Sequence, residues 1–138
     1  MSDEDTWTTV TRLHDWLTAH QTLPPGQEIL LRVLKLSEEV GEAAQAVIGA
    51  TGQNPRKGNS HTWEDVEAEL CDVVITAMVA LRTLTPDASA VFARHLNRVA
   101  ARSLPAGEGA EPRTSRSPGL PGARDFLEPG PSPEPRPS

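Results

Sequence analysis

The fold is decided by residues 70–81, which read LCDVVITAMVAL. Apolar side chains occur on every side of a helix built from this segment, and Asp72 and Thr76 are its strongly polar members. A helix without a polar face is buried in its protein. In a chain of 138 residues this predicts a central helix that other helices cover on some sides and a partner subunit covers on another.

Three more helices are predicted, two before this segment and one after it. Apolar residues recur every three or four positions in residues 6–20, in residues 27–50 and in residues 85–103, which is the period of an amphipathic helix. Aromatic residues make up only 4% of the chain and tyrosine is absent, whereas strands are enriched in aromatic and β-branched side chains. The sequence therefore predicts an all-α fold of four helices.

Turn and cap residues separate the helices. Thr62 is expected to cap the central helix, which runs to about Leu84. Thr85 is expected to cap the last helix, with Pro86 in its first helical position. Residues 49–61 have no periodicity and form a predicted loop, and loops of that length in a compact domain are often functional.

The chain is divided near Leu104 by its proline content. Nine of the 13 prolines fall within the last 35 residues, among Gly, Ser and Arg. Such a segment buries too little apolar surface to offset the entropy of ordering itself. We therefore expect a folded domain over residues 1–103 and a disordered tail over residues 104–138.

Composition excludes several classes of protein. Lys and Arg total 13 against 19 Asp and Glu, a net charge of −6, which disfavours binding to nucleic acid. A single cysteine, Cys71, excludes an internal disulfide framework and is expected to be a small core residue. The acidic N-terminus lacks the pattern of a secretory signal, and the apolar run is far shorter than the roughly 20 residues that cross a bilayer. We expect a cytoplasmic protein with no membrane partner.

Two acidic turns occur on successive predicted helices. Residues 38–42 read EEVGE, so that Glu39 and Glu42 lie one helical turn apart with Glu38 beside them. Glu69 and Asp72 have the same spacing within the apolar segment of the central helix. Carboxylates drawn toward an apolar core are paired, protonated or bound to a metal.

Antiparallel packing of the two helices would bring both acidic turns to one site. A ligand set made only of carboxylate oxygens suits Mg²⁺ or Mn²⁺ and does not suit zinc. A di-iron site in a four-helix bundle needs Glu-x-x-His pairs, and no histidine follows a glutamate by three residues here. The alternative for each acidic turn is a solvated helix face without chemistry.

The two acidic segments resemble a known family. Residues 35–43, KLSEEVGEA, followed by residues 69–74, ELCDVV, are similar to the EExxE and ExxD motifs of the MazG-like, all-alpha nucleoside triphosphate pyrophosphatases. The resemblance covers about residues 10–103. It implies a four-helix MazG-like bundle protomer, which hydrolyses a nucleoside or deoxynucleoside triphosphate to the monophosphate and pyrophosphate with Mg²⁺, Mn²⁺ being the second candidate.

The resemblance also implies roles for individual carboxylates. By position, Glu39, Glu42, Glu69 and Asp72 would hold the metal. Glu38 or Glu39 would be the catalytic base that takes a proton from the attacking water, and the sequence leaves open which of the two it is.

A triphosphate also needs cations and a stacking surface. The candidate substrate-binding residues are Lys35, Arg56, Lys57, Trp16, Trp63, Asn97, Arg98 and Arg102. The alternative for the basic residues is a solvated surface charge, and the alternative for Trp16 is a place in the core stripe of the first helix.

The predicted partners are the nucleoside triphosphate and further copies of the chain, in a homodimer or a dimer of dimers that forms through the central helix. The competing functional class is a non-catalytic helical module that binds nucleotide or a protein partner.

Overall fold

The structure is a computed structural model that describes residues 3–24 and 26–105, with the side chains of residues 5–24 and 26–105. Four helices are present: α1 (Asp3–His20), α2 (Glu28–Ala50), α3 (Trp63–Leu84) and α4 (Ala88–Ser103). No strand occurs among the described residues. The prediction of an all-α fold of four helices is confirmed, whereas most of the predicted tail lies outside the described residues.

Helices α2 and α3 form an antiparallel pair. The backbone N–H of Ser60 donates to the carbonyl of Gly49 (3.1 Å), which ties the start of α3 to the end of α2. Residues from the first half of α2 share a cavity with Ile75 and Val79, near the end of α3. The core of this pair is made of small side chains, those of Ala43, Ala46, Val66, Val79 and Ala80.

Helix α1 lies against α3 and reaches the start of α2. The Thr18 hydroxyl donates to Oε1 of Glu28 (2.7 Å), and Arg32 Nη2 donates to the same oxygen (2.8 Å). Helix α4 also contacts α1, because the ring of Phe92 packs against Trp7 with centroids 6.0 Å apart. Helix α3 thus contacts the other three helices of its own chain.

The predicted capping side chains form hydrogen bonds with backbone N–H groups, although one of the predicted helix boundaries is wrong. Thr62 forms a capping box with Asp65: its hydroxyl accepts from the Asp65 N–H (3.2 Å), while the Asp65 carboxylate accepts from the Thr62 N–H (2.8 Å). Thr85 ends α3 instead of directly preceding α4, although its hydroxyl still accepts from the Asp87 N–H (3.2 Å). Pro86 and Asp87 form a turn, and α4 starts two residues later than predicted.

Many large apolar side chains are exposed. The buried apolar residues of the described chain are Val10, Ala43, Ala46, Val66, Val79, Ala80 and Ala88. Cys71 is exposed, so the expectation that it is a core residue was wrong. Trp16 is 59% exposed, which contradicts the alternative that places it in the core stripe of the first helix. An apolar stripe with a helical period can line a surface groove as well as a buried core, so the period did not determine whether Trp16 is buried. No described helix is both long enough and apolar enough to cross a membrane.

The capping box predicts a measurable stability change. We expect Thr62→Ala to lower the free energy of unfolding by about 1 kcal/mol, because the first turn of α3 loses its side-chain acceptor. Urea denaturation followed by circular dichroism at 222 nm measures the loss. Thr62→Ser keeps the acceptor and is expected to remain close to the parent protein, so equal losses in both variants would contradict a capping role.

Candidate metal centre

Three carboxylates from α2 and α3 converge on one point. One oxygen from each of Glu39, Glu69 and Asp72 lies within 4.8 Å of the other two. Glu39 is buried, Glu69 is half-buried and Asp72 is exposed, so the cluster lies between the core and the solvent. The antiparallel packing of α2 on α3 therefore brings together parts of both acidic turns.

Lys35 supplies a positive charge beside this cluster. Its Nζ lies 2.9 Å from Oε1 of Glu39 and 3.0 Å from Oε2 of Glu38. Because the Glu39 side chain is only 10% exposed, the ion pair offsets part of the cost of burying its charge. The hydrogen bond from Lys35 holds the pKa of Glu39 below its usual value, and the two glutamates raise the pKa of Lys35.

Glu42 extends the cluster along α2. Its carboxyl shares a hydrogen bond with Glu39, and this bond, together with partial desolvation and the charges of Glu39, Glu38 and Glu69, raises the pKa of Glu42. Protonation of Glu42 thus relieves the repulsion among the acidic groups. A divalent cation would relieve the same repulsion without a proton.

The donor set fits a small divalent cation. Mg²⁺ binds oxygen at 2.0–2.1 Å in octahedral geometry, so its ligand oxygens are about 2.9 Å apart when adjacent and about 4.2 Å apart when opposite. The oxygens of Glu39, Glu69 and Asp72 are within 4.8 Å of one another, so the three would have to move closer together to bind one Mg²⁺. All three are hard oxygen donors, which agrees with Mg²⁺ or Mn²⁺.

An apolar cavity lies beside the carboxylates, toward the C-terminal end of α3. Its volume is about 490 Å³, and its walls come from α1, α2 and α3. Trp16 lines it together with Lys35 and Glu38, while Ile75 and Thr76 supply the α3 side. The cavity is therefore linked to Glu39 through Lys35.

Trp63, Arg56 and Lys57 lie on the other side of the cluster. Trp63 is the first residue of α3 and precedes Glu69 by six residues, about 9 Å along the helix. The cavity instead adjoins residues that follow Asp72. Within one chain, Trp16 and Trp63 are consequently too far apart to stack on the same base.

The two basic loop residues are held in a turn at that distant end. Asn54 organises the turn, since its side-chain oxygen accepts from the Arg56 N–H (3.1 Å) and its carbonyl accepts from the N–H groups of Lys57 (3.1 Å) and Gly58 (2.9 Å). Both basic side chains are exposed. The structure therefore does not bring them to the carboxylate cluster.

Among the described residues, the candidates on α4 form no ion pair with the carboxylates of the cluster. Asn97, Arg98 and Arg102 are exposed, and none of them lines the cavity. The structure brings together Glu38, Glu39, Glu42, Glu69, Asp72, Lys35 and Trp16, and it leaves the other predicted substrate-binding residues outside this group.

Arg32 is the residue that sequence reasoning missed. It lines the cavity, its side chain is 12% exposed, and its Nε is buried without a hydrogen-bond partner among the described residues. Its guanidinium is held by Glu28, one turn earlier. The available signal was the Glu28 and Arg32 pair at i, i+4 within an otherwise apolar stretch.

Comparisons of the chain with family models, with curated proteins and with solved structures gave no significant match.

The carboxylate triad predicts metal binding that depends on named side chains. We expect Asp72→Asn to weaken Mn²⁺ binding by at least about tenfold, because a charged ligand is replaced by a neutral one. Glu67→Gln removes the same charge from an exposed position of α3 outside the triad, and we expect it to leave the affinity within about twofold. Isothermal titration with MnCl₂ measures both. Equal affinities in the two variants would place the metal elsewhere.

The raised pKa of Glu42 predicts a pH dependence of metal binding. A proton on the pair formed by Glu39 and Glu42 competes with the metal, so Mn²⁺ affinity should rise with pH and level off above the pKa of Glu42. Glu42→Gln removes this proton, and the affinity should then reach its plateau at lower pH. Titrations from pH 4.5 to pH 8 test the shift, and an unchanged profile would show that Glu42 is not coupled to the metal.

Proposed function

We propose that this protein is a MazG-like nucleoside triphosphate pyrophosphohydrolase, which cleaves a nucleoside or deoxynucleoside triphosphate to the monophosphate and pyrophosphate with Mg²⁺. The convergence of Glu39, Glu69 and Asp72 on one point carries the proposal. The order of the EExxE and ExxD motifs on successive antiparallel helices supports it. Removal of unwanted nucleotides from the cytoplasmic pool is the proposed role.

The proposed roles of the α2 and α3 carboxylates are metal binding and acceptance of a proton. A bound Mg²⁺ supplies Lewis-acid stabilisation of phosphate charge and a more acidic water. Glu39, Glu69 and Asp72 would hold it, with Glu42 as a further carboxylate ligand. Glu38 has no oxygen in the triad and lines the cavity, so we assign it the role of accepting the proton of the attacking water.

The cavity is the proposed place for the nucleoside. Its apolar walls and the exposed face of Trp16 suit a planar base. Lys35 lies between the cavity and the carboxylates, where its charge would stabilise a phosphate. Arg32, which sequence reasoning did not include, adds a second cation to the same wall.

Product analysis tests the proposed reaction. We expect the purified full chain, given a panel of ordinary and modified nucleoside triphosphates with Mg²⁺ or Mn²⁺, to release pyrophosphate and the monophosphate of at least one of them. Ion-exchange chromatography separates these products. Release of orthophosphate would contradict the proposed cleavage position.

Two variants test the proposed roles of Glu39 in metal binding and of Trp16 in base stacking. Glu39→Gln is expected to lower kcat by at least about 100-fold, since it removes a carboxylate from the metal. Trp16→Ala is expected to raise KM about tenfold with a smaller effect on kcat, because base stacking contributes about 1–3 kcal/mol. Glu67→Gln serves as the control. Nucleotide binding without turnover by the parent protein would favour the non-catalytic binding module.

A further inference from the structure

We propose that His20, the last residue of α1, is a positioning residue that fixes the indole of Trp16 in the wall of the cavity. Its role in substrate binding rests on the proposed function, in which the base stacks on Trp16. Its effect on the orientation of Trp16 does not depend on any activity, so the two can be tested separately.

His20 contacts Trp16 in two ways, from one turn further along α1. The centroids of the two rings are 4.8 Å apart with an interplanar angle of 40°, and this separation lies within the range of favourable aromatic pairs. Nδ1 of His20 donates a hydrogen bond to the carbonyl oxygen of Trp16 (2.7 Å). The hydrogen bond fixes the plane of the imidazole, and the ring contact transmits this constraint to the indole.

Trp16 depends on such a support because the core does not enclose it. The residue is 59% exposed although it lines the cavity, so packing against buried side chains does not fix its rotamer. A side chain that becomes immobile only on binding weakens the affinity by about two- to tenfold. A side chain that is held in place beforehand avoids this loss.

The end of α1 is itself anchored to α2, so His20 acts from a fixed backbone. The Thr18 hydroxyl and Nη2 of Arg32 both donate to Oε1 of Glu28. Arg32 lines the same cavity as Trp16. The hydrogen bonds at the end of α1 and the ring contact of His20 therefore act on two walls of one cavity.

Histidine at position 20 combines a ring with a hydrogen-bond donor. Phenylalanine would offer the ring without a donor for the carbonyl of Trp16, and asparagine would offer a donor without a ring. A histidine in the last turn also interacts favourably with the helix dipole when it is protonated. That effect would stabilise α1 as a whole and would not act on Trp16 in particular, which gives the structural alternative a different signature.

Fluorine NMR of the full chain labelled with 5-fluorotryptophan tests the effect on Trp16. The chain has three tryptophans, and the resonance lost in Trp16→Phe belongs to Trp16. In His20→Ala this resonance should shift and narrow, because the indole loses the neighbouring ring and gains mobility. His95→Ala, which removes an exposed histidine of α4, should leave it in place.

Two NMR results would overturn the proposal. The first is an unchanged Trp16 resonance in His20→Ala, whether or not the chain hydrolyses any nucleotide. The second is an equal shift of the resonance of Trp7, which lies on the same helix, because that would indicate a general effect on α1.

Kinetics test the effect on substrate binding. With a nucleotide that the parent chain hydrolyses, His20→Ala should raise KM about two- to tenfold and leave kcat nearly unchanged. The same change in a Trp16→Ala chain should have no further effect, since no indole is left to position. Equal effects in both backgrounds would show that His20 does not act through Trp16. A chain that hydrolyses no nucleotide would contradict the proposed function alone, and the Trp16 resonance would then decide on His20.

His20→Phe and His20→Asn separate the two contacts. We expect the KM of each to lie between those of the parent and His20→Ala, with His20→Phe closer to the parent because its ring would still touch the indole. A His20→Phe variant as impaired as His20→Ala would contradict a role for the ring contact.

Discussion

The structure depends on the burial of one carboxylate between two helices. Glu39 occupies a position of α2 where the helical period places a core residue, between Ala43 below and Lys35 one turn above. Its charge is tolerated because Lys35 pairs with it. The other features of the candidate site are arranged around this position: Glu69 and Asp72 approach it from α3, its hydrogen bond with Glu42 raises the pKa of Glu42, and Lys35 connects it to the cavity.

The number of helices, their approximate extents and the pairing of the acidic turns were predictable from the sequence. Periodicity placed the four helices, and Thr62 marked the start of α3 because its hydroxyl has one specific partner in the first turn. The convergence of Glu39 with Glu69 and Asp72 follows from antiparallel packing of two adjacent helices joined by a twelve-residue loop. Periodicity and capping depend on residues close together in the chain, and the packing of α2 on α3 depends on two helices that are adjacent in the chain.

The relations among distant residues were not predictable in the same way. Whether Trp16 is buried depends on how far α1 lies from α2, and one helical stripe is compatible with either outcome. The basic residues of α4 and of the loop could be assigned to the phosphates only by resemblance, and the structure leaves them exposed and outside the cavity. Arg32 was missed because its pairing with Glu28 gave it the pattern of an ordinary surface ion pair, whereas its side chain is only 12% exposed in the folded chain.

The small side chains between α2 and α3 have a consequence for ion selectivity. Ala43, Ala46 and Ala80 allow close helix packing, and the helices carry the carboxylates with them. The spacing of the carboxylate oxygens thus depends on the backbone separation as well as on the acidic side chains. Since Ca²⁺ needs oxygens at 2.3–2.6 Å and Mg²⁺ at 2.0–2.1 Å, the helix separation that these alanines set would bear on which of the two ions the proposed site accepts.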